Sequence, residues 1–421
     1  MSVVAGTLHA MGDRDVLAGL DEIDWAALSH AYGPADDVPG LLRALRSESH
    51  DERERAVCEL YGNIFHQGSR YQATAYAVPF LAQLAVDAAT PDRQEIVHLL
   101  ASVAIGYDEA HLPRGVDIAG WRAEVGRMRA ADPAEELRKI DEWVEAAQDE
   151  GERRARSWRR DCYDHAESLR CAQDELGVYD AVRAEVPGLR RLLGDDDPEI
   201  RSATAYLLGW FPEEAADSVL ALRPLPGSET VTGVLANAII SAGLLSDVEL
   251  IPRLREHLGG PEPLLRWAAA VALARLGVLN REIIGALASA SVDPPKADVV
   301  PGVHFMEGDG RAYASQTLAA LDVRLPAESV DAVLEGLSRS SEIAVFSMAT
   351  AALRLTFEEA APRQLLPFEE LTKPQQRVVR VLAELGPETW RWDNFMEILR
   401  TWNLPSTHAD CRAYAGLDAL K

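Results

Sequence analysis

The sequence predicts an all-α protein of the α-solenoid class, with about eight or nine helical hairpins and one helical insertion. Three observations predict this class. A hairpin pattern recurs along the chain, and apolar residues fall at helical spacing in one segment after another. The length of 421 residues also exceeds the size at which a single compact core keeps growing, whereas a solenoid extends by repetition.

The recurring unit is marked by a Val-Pro or Ile-Pro step that is followed fourteen residues later by an arginine. An apolar helical run and a short polar turn lie between the two, so each pair marks one helical hairpin. In the clearest unit, at 186–209, Asp197 and Pro198 supply an N-cap acceptor and an N1 proline for the second helix. The pairs are Pro39 and Arg53, Pro79 and Arg93, Pro187 and Arg201, and Pro252 and Arg266.

The combination of a proline in the first helix and an arginine at the second helix resembles HEAT repeats. In that family a proline typically bends the first helix, and the second helix begins near a basic residue that contacts acidic turn positions. The four prolines match the first feature and the four arginines match the second. The segments IFHQG at 64–68 and YQAT at 71–74 are also similar to a stretch in uncharacterised bacterial HEAT-repeat proteins. The resemblance, which includes the PBS-lyase HEAT-like proteins, covers most of the chain and implies a helical solenoid without an assigned activity.

Departures from the repeat divide the chain into segments. We expect a flexible N-terminus at 1–20, repeats over 21–106, a helical insertion over 107–178 and further repeats over 179–421. The insertion is too long for an inter-repeat loop, and its apolar stripes predict an enlarged helical hairpin. A loop at 293–309 lies where an ordinary repeat needs only a short turn.

Composition and charge exclude several classes of protein. A formal charge of −25 repels phosphate backbones, which argues against general nucleic-acid binding and is compatible with a basic or mixed-charge partner. No apolar run approaches the roughly 18 to 20 residues that span a bilayer, and the N-terminus lacks a signal-peptide pattern. We therefore expect a cytoplasmic protein without membrane contact. The common nucleotide, hydrolase and metalloprotease motifs do not occur, and no cofactor is expected.

Two other residue sets indicate structure rather than chemistry. The cysteines lack CxxC spacing and lie mostly in apolar helical patterns, so we expect buried free thiols and neither a zinc site nor disulfides. A basic run at 153–160 is spread around a helix and screened by nearby acids, which favours a solvated helix over a contact with phosphate or an acidic partner. The cysteines are Cys58, Cys162, Cys171 and Cys411.

Side chains that can form hydrogen bonds cluster between the first two clear repeats, at 61–74. Gly62 and Gly68 bound this cluster and permit tight turns. Its members either satisfy backbone groups of a long turn or bind a ligand. They are Tyr61, Asn63, His66, Gln67, Arg70, Tyr71 and Thr74.

The corresponding helix end one repeat later carries Tyr107, Asp108 and Glu109. Because second helices of a solenoid stack side by side, we expect His66 near Asp108 or Glu109. A histidine beside a carboxylate suits general acid–base catalysis, although the same pair also solvates a helix end. Metal binding by these residues with His111 lacks a recognised spacing, so no metal site is expected.

The loop at 293–309 carries a second polar cluster beside several glycines. Asp309 is expected to cap the following helix, and Arg311 is expected to act as a repeat arginine. The alternative is a flap over the groove, in which Phe305 and Met306 contact whatever enters. The ligand-binding candidates of this segment are His304, Glu307 and Arg311.

Two functions remain open. The first is a non-catalytic scaffold whose concave groove, lined by second helices, binds a protein or peptide. The second is an enzyme that acts on a small molecule or peptide in the groove, with His66 and Asp108 or Glu109 transferring protons. HEAT-like folds include bilin lyases and DNA glycosylases, so the resemblance implies precedent for catalysis. The charge of −25 argues against a glycosylase, and fold alone is a poor guide to activity.

Overall fold

A computed structural model describes residues 15–147, 150–295, 301–340, 344–357 and 365–418. Regular structure in these ranges is helical apart from two short β-hairpins. The fold class is therefore the all-α solenoid that the sequence predicts. Most of the expected flexible N-terminus, at 1–14, and part of the expected loop, at 296–300, lie outside the described residues.

Helices follow one another through the described ranges and are joined mostly by short turns. Strand β1 (Ser29–His30) pairs with β2 (Gly33–Pro34), and β3 (Phe65–His66) pairs with β4 (Ser69–Arg70), both antiparallel. The helices are α1 (Val38–Ala44), α2 (His50–Asn63), α3 (Gln72–Val86), α4 (Arg93–Ile105), α5 (Ile118–Ala130), α6 (Pro133–Glu145), α7 (Glu150–Asp161), α8 (His165–Leu189), α9 (Pro198–Leu208), α10 (Ala215–Leu222), α11 (Leu225–Ser228), α12 (Thr232–Leu244), α13 (Ile251–Leu258), α14 (Pro263–Arg275), α15 (Arg281–Val292), α16 (Gly310–Ala319), α17 (Ala327–Ser338), α18 (Ala344–Phe357), α19 (Lys373–Glu384), α20 (Pro387–Trp390), α21 (Asp393–Thr401) and α22 (His408–Tyr414).

The chain forms two compact units. The first comprises Met1–Gly106 and Ile118–Arg191, and the second comprises Tyr107–Asp117 and Leu192–Lys421. The segment expected as an insertion, 107–178, is thus divided between the two units. Its beginning belongs to the second unit and its remainder to the first.

In the first unit, α1 pairs with α2 and α3 pairs with α4, while α8 packs against α3, α4 and α5. The helices α6 and α7 pack on each other as a hairpin. Asp164 accepts hydrogen bonds from two backbone N–H groups at the start of α8, which runs for 25 residues and includes Pro187. The end of the expected insertion is therefore continuous with the first helix of the 186–209 repeat.

In the second unit, the second helices of successive hairpins pack one on the next. Helix α12 packs on α9 and α14, and α16 packs on α14 and α18. The first helices form a parallel series, in which α17 packs on α15 and α19. Helices α12 and α14 are apolar on nearly all sides and almost completely buried, as expected for helices covered by neighbours.

The repeat prolines occupy two kinds of position. Pro79 lies inside α3 and Pro187 inside α8, as predicted. Pro39 and Pro252 lie instead in the first turn of α1 and α13, so the prediction of a mid-helix bend is wrong for these two. These first helices are short, and in the first turn of a helix a missing backbone donor breaks no hydrogen bond.

The repeat arginines Arg53, Arg201 and Arg266 share one arrangement. In each, Nη1 donates to the carbonyl oxygens five and six residues earlier, at 2.8 to 3.2 Å. These carbonyls belong to the turn of the same hairpin. Two of the arginines also contact a carboxylate in the turn of the following hairpin. Nε of Arg53 lies 2.7 Å from Asp92, and Nε of Arg201 lies 2.8 Å from Glu229. Each arginine therefore ties its own turn, and Arg53 and Arg201 also link it to the following one.

Three cysteines, Cys58, Cys162 and Cys171, are exposed, and Cys411 is buried. The prediction of buried thiols is wrong for the three exposed cysteines, because Cys58 and Cys171 lie on solvent-facing sides of α2 and α8 and Cys162 directly follows α7.

In the basic run at 153–160, Arg156 pairs with Glu152 and Arg160 with Asp141, as expected for a solvated helix. Within the described ranges, no helix is both long and apolar enough to cross a membrane.

Candidate functional site

The predicted site residues divide between the two units. Tyr61, Asn63, His66, Gln67 and Tyr71 belong to the first unit. The residues Tyr107, Asp108, Glu109, His304, Glu307 and Arg311 belong to the second. Each group has its own geometry.

In the first unit, the two β-hairpins bring Tyr32 and His66 together. Tyr32 lies in the turn between β1 and β2, and its Oη is 3.3 Å from Nδ1 of His66. The two rings meet nearly edge to face, with centroids 5.4 Å apart and an interplanar angle of 67°. Tyr71 directly follows β4, and burial, with smaller contributions from Cys171 and Tyr32, raises the pKa of its hydroxyl. We call Tyr32, His66 and Tyr71 the aromatic surface.

Hydrogen bonds to the carboxylate of Asp37 hold this surface in place. Nδ1 of His30 accepts the backbone N–H of Tyr32 at 3.0 Å, so Nε2 carries the proton and donates to Oδ1 of Asp37 at 2.9 Å. The other carboxylate oxygen of Asp37 accepts from Nδ2 of Asn63 at 2.5 Å, and the carbonyl of Asn63 accepts from the backbone of Ala31. The first β-hairpin is thus tied to the end of α2. His30, Tyr32 and Asp37 were missed by sequence reasoning, although the Tyr-Gly-Pro step at 32–34 is a turn signal.

Arg70 anchors the second β-hairpin. Its Nη1 donates to the carbonyl of Gly68 at 2.5 Å, and its Nη2 lies 3.5 Å from the Glu175 carboxylate on α8. The guanidinium also lies over the ring of Trp121, 5.7 Å from its centroid. Burial lowers the pKa of Arg70, while Glu175 acts in the opposite direction. Arg70 is therefore a buried structural cation.

The remaining candidates of the first unit differ in exposure. Tyr61 lies with its hydroxyl 3.5 Å from Oγ of Ser102, and burial raises its pKa to about 12. Asn63 is buried in the contact with Asp37. Gln67 is exposed in the turn between β3 and β4, with a φ of 51°. Tyr61 and Asn63 therefore pack inward, and Gln67 faces solvent.

In the second unit, Asp108 is the central group. Its Oδ2 accepts hydrogen bonds from the backbone N–H of Met306 at 2.8 Å and from Oη of Tyr206 at 3.2 Å. The pKa of Asp108 is raised to about 7, mainly by burial and also by the carboxylates of Glu109 and Glu307, while the bonds from Met306 and Tyr206 act in the opposite direction. A group that titrates near neutral pH suits proton transfer.

The loop 301–309 packs inside the second unit. Phe305 and Met306 are only 0% and 4% exposed, and the Phe305 ring lies 4.8 Å from Tyr206 and 5.4 Å from Trp210 by centroid. The interpretation of these residues as a flap that contacts an entering molecule is therefore wrong, because both side chains are core residues. Met306 and Glu307 have positive φ values of 52° and 53°, a conformation that costs energy outside glycine.

Asn237 on α12 holds the backbone of this loop. Its Nδ2 lies 2.9 Å from three acceptors, the carbonyls of Gly233 and Gly302 and Oγ of Ser202. Its Oδ1 accepts the backbone N–H of His304 at 3.0 Å, and Nε2 of His304 lies 3.0 Å from Oγ of Ser202. Sequence reasoning missed Asn237 and Ser202. Their signal was the presence of polar residues at buried positions of otherwise apolar helices.

The other candidates of the second unit have varied surroundings. Asp309 caps α16 by accepting the N–H of Ala312 at 2.9 Å, as predicted. Arg311 donates to the carbonyl of Val292 at 3.1 Å, an arrangement different from that of the repeat arginines. Tyr107 is 53% exposed. The acid–base pair of His66 with Asp108 or Glu109 combines residues of different units and stays a prediction.

Among the described residues, no group of three or more histidine, cysteine, aspartate and glutamate side chains is arranged to hold a metal ion.

No family model and no curated protein matches the sequence. Among solved structures, an engineered protein from a structural genomics consortium is similar at 18% identity and a TM-score of 0.22, covering 90% of this chain and 97% of that one. A structure of the Pds5–Scc1 complex is similar at 12% identity and a TM-score of 0.23, covering 86% of this chain and 62% of that one. Similarities this weak carry no argument about function.

Proposed function

We propose that the chain is a binding scaffold for a protein or peptide partner and that the aromatic surface holds this partner. The observation that carries the proposal is Tyr32, whose side chain is 72% exposed although its backbone and its hydroxyl are both held by histidines. We also include in the proposal a kinship with HEAT-repeat proteins, as the sequence resemblance implies, and a cytoplasmic location.

An exposed and oriented tyrosine suits binding for a physical reason. Its ring supplies a large contact area, its hydroxyl supplies a hydrogen bond, and little conformational entropy is lost when the side chain is already held. Tyrosines of this kind are enriched among the residues that dominate protein interfaces. The charge of −25 favours a basic or mixed-charge partner and disfavours general nucleic-acid binding.

The sequence predicts a groove lined by second helices as the place of the partner. On α9 and α12, Ser202 and Asn237 already contact the loop 301–309, which covers that part of the helix surface. The aromatic surface of the first unit is open by comparison. We therefore assign partner binding to Tyr32, His66 and Tyr71.

Site-specific photo-crosslinking tests this assignment. A photoreactive phenylalanine derivative is introduced at position 32 and, as a matched control, at Leu220, which is 62% exposed in the second unit. After irradiation in cells, we expect one protein or peptide to be crosslinked from position 32 and not from position 220. Mass spectrometry identifies the adduct.

The affinity of the identified partner is then measured by calorimetry. Tyr32→Ala combined with His66→Ala is expected to weaken binding by about 10- to 100-fold, because truncation of a central aromatic residue costs about 2 kcal/mol or more. Leu220→Ala is expected to leave the affinity unchanged. Equal crosslinking from both positions, or an unchanged affinity of the double variant, would refute the proposal.

A second candidate function is acid–base catalysis on a small molecule or peptide. It is favoured by one observation, the buried Asp108 carboxyl with a pKa of about 7 beside Glu109. The test incubates a metabolite extract with the protein and with Asp108→Asn and compares the two by mass spectrometry. Turnover lost in the variant would support catalysis, and identical metabolite profiles would exclude it for that extract.

A further inference from the structure

A cleft of about 220 Å³ lies in the second unit, between the segment Tyr107–Asp117 and the ends of α12 and α14. Its walls include Arg114, Gly115, Leu244, Leu245 and Arg275. At about 30 Å³ per water molecule, this volume corresponds to about seven waters, or to a small organic molecule. We call it the Arg275 cleft.

The charge of this cleft is unusual for an acidic chain. Nε of Arg275 donates to the carbonyl of Arg114 at 2.9 Å, which fixes the Arg275 guanidinium at the cleft wall. In the described part of the chain, neither arginine has a carboxylate within ion-pairing distance. By contrast, Arg223, which lines a larger cleft of about 400 Å³, pairs with Asp247 and Glu249. The Arg275 cleft thus has positive charge that no protein anion compensates.

Two buried polar groups belong to the same unit, although neither side chain lines the cleft. Nε1 of Trp210 and Oη of Tyr313 belong to fully buried side chains, and neither finds a hydrogen-bond partner among the described residues. Trp210 directly follows Gly209, which lines the cleft. The guanidinium of Arg275 is close enough to the Tyr313 hydroxyl to lower its pKa, against the larger effect of burial. Because neither side chain lines the cleft, the inference below rests on the cleft and its two arginines.

We propose that the Arg275 cleft binds a small organic anion. Its carboxylate or phosphate group pairs with Arg275 and Arg114, since guanidinium groups form strong charge-assisted bonds with both kinds of anion. Its short apolar part lies on Leu244 and Leu245, which line the same cleft. This site is separate from the aromatic surface and does not depend on the scaffold proposal.

Calorimetric titration with small probes tests the site in the full chain. Phenyl phosphate and benzoate are the anionic probes, and benzyl alcohol and benzamide are neutral probes of similar shape. At least one anion is expected to bind with a Kd below about 1 mM, and the neutral molecules are expected to bind more weakly by about tenfold or more. Preference for phenyl phosphate or for benzoate identifies the natural ligand as a phosphate or as a carboxylate.

Variants connect the binding to the cleft. Arg275→Gln and Arg114→Gln are each expected to weaken anion binding by about tenfold. The matched control is Arg253→Gln, since Arg253 is an exposed arginine of the same unit that pairs with Glu256. Ala215→Phe places a ring in the cleft while it keeps both arginines, and it is expected to abolish binding.

The proposal is overturned if neither anion binds up to about 10 mM, or if the arginine variants bind as tightly as the unchanged chain. Unchanged binding by Ala215→Phe would also overturn it, because the probe would then occupy another place. Circular dichroism of each variant confirms that the helices are retained. Partner binding at Tyr32 is measured separately, so either proposal can fail while the other stands.

Discussion

The backbone N–H of Met306 donates a hydrogen bond to Oδ2 of Asp108 over 2.8 Å, between residues that are 198 positions apart in sequence. This bond contributes to holding Met306 and Glu307 at positive φ, which neither residue adopts readily. The carboxyl that accepts the bond is buried and titrates near neutral pH. The burial of this carboxyl, which raises its pKa, makes the stability of the second unit dependent on pH.

The first prediction concerns this pH dependence. The pKa of Asp108 rises from 3.8 in the unfolded chain to about 7 in the fold, so between these values the folded protein binds a proton that the unfolded chain releases. Its contribution to stability is complete below about pH 4 and lost as the pH rises through about 7. Asp108→Asn removes this dependence. Between about pH 5.5 and pH 8, the free energy of unfolding of the unchanged protein should fall relative to that of the variant, by on the order of 2 kcal/mol.

Urea unfolding at the two pH values measures this difference. Asparagine keeps an oxygen that can accept the bonds from Met306 and Tyr206, so the variant is expected to fold. The control is Glu282→Gln, which removes an exposed carboxylate of the same unit. Parallel pH profiles for the unchanged protein and Asp108→Asn would show that Asp108 titrates as an ordinary carboxyl.

The second prediction concerns the amide of Asn237. Asn237→Ala removes the hydrogen bonds to the carbonyl of Gly302 and from the N–H of His304, so we expect a loss of stability of about 2 to 4 kcal/mol. Hydrogen exchange should increase in the loop 301–309, because the amide holds its backbone. Ser241→Ala on the same helix removes a single hydrogen bond to Ala205 and serves as control.

For this control we expect a loss of about 1 kcal/mol and unchanged exchange in the loop. Exchange followed by mass spectrometry separates the two effects. Equal loop protection in the two variants would mean that the aromatic contacts of Phe305 hold the loop without help from Asn237.

The third prediction compares two helical glycines. A Cβ atom on Gly233 would lie 1.7 Å from the carbonyl oxygen of Pro301, so Gly233→Ala must displace the loop from α12. A Cβ on Gly285 in α15 meets nothing within 4 Å. Gly285→Ala should therefore stabilise the protein by about 0.5 to 1 kcal/mol, since glycine is a poor helix former.

Thermal unfolding distinguishes these two substitutions. The melting temperature is expected to fall for Gly233→Ala and to rise for Gly285→Ala, although the chemical change is the same. A rise in both variants would indicate that the loop does not approach α12 as closely as the contact between Gly233 and Pro301 requires.

The fourth prediction concerns the repeat arginine Arg201. Its side chain is 16% exposed and that of its partner Glu229 is 6% exposed. Arg201→Ala removes two bonds to turn carbonyls and leaves the Glu229 carboxylate without its cation, so we expect a loss of about 3 kcal/mol. Arg201→Lys keeps the charge but lacks the planar fork, and we expect an intermediate loss.

The control is Arg253→Ala, because Arg253 forms an exposed ion pair with Glu256 and such pairs contribute little. We expect its free energy of unfolding in urea to stay within about 0.5 kcal/mol of the unchanged protein. If Arg201→Ala were as mild as this control, the repeat arginine would be a surface residue without a structural role.

The helical hairpins could be predicted from the sequence because their signals are local. Apolar spacing, the Asp197–Pro198 start of α9 and the arginine fourteen residues after each proline all act within one hairpin. The end of α7 and the start of α8 were less apparent, because the apolar stripe of the predicted hairpin continues past Asp164. A short cap interrupts a helix without disturbing its period.

The site was harder to predict because its contacts are long-range. No periodic pattern connects Asp108 with Met306, and the predicted neighbour of Asp108 was a residue of the preceding repeat. The β-hairpins around Tyr32 and His66 have strands of only two residues, too short to show an alternating pattern. The apolar pair Phe305 and Met306 was a signal for burial that the interpretation as a flap overlooked.

The segment Tyr107–Asp117 is synthesised long before the loop that contacts it. It leaves the ribosome before α5 to α8 exist, yet its partner Met306 is added 198 residues later. At about 5 to 20 residues per second, that delay is about 10 to 40 seconds. During this time Asp108 is exposed to solvent, and its carboxyl is buried, with its pKa raised to about 7, only when translation delivers the loop that covers it.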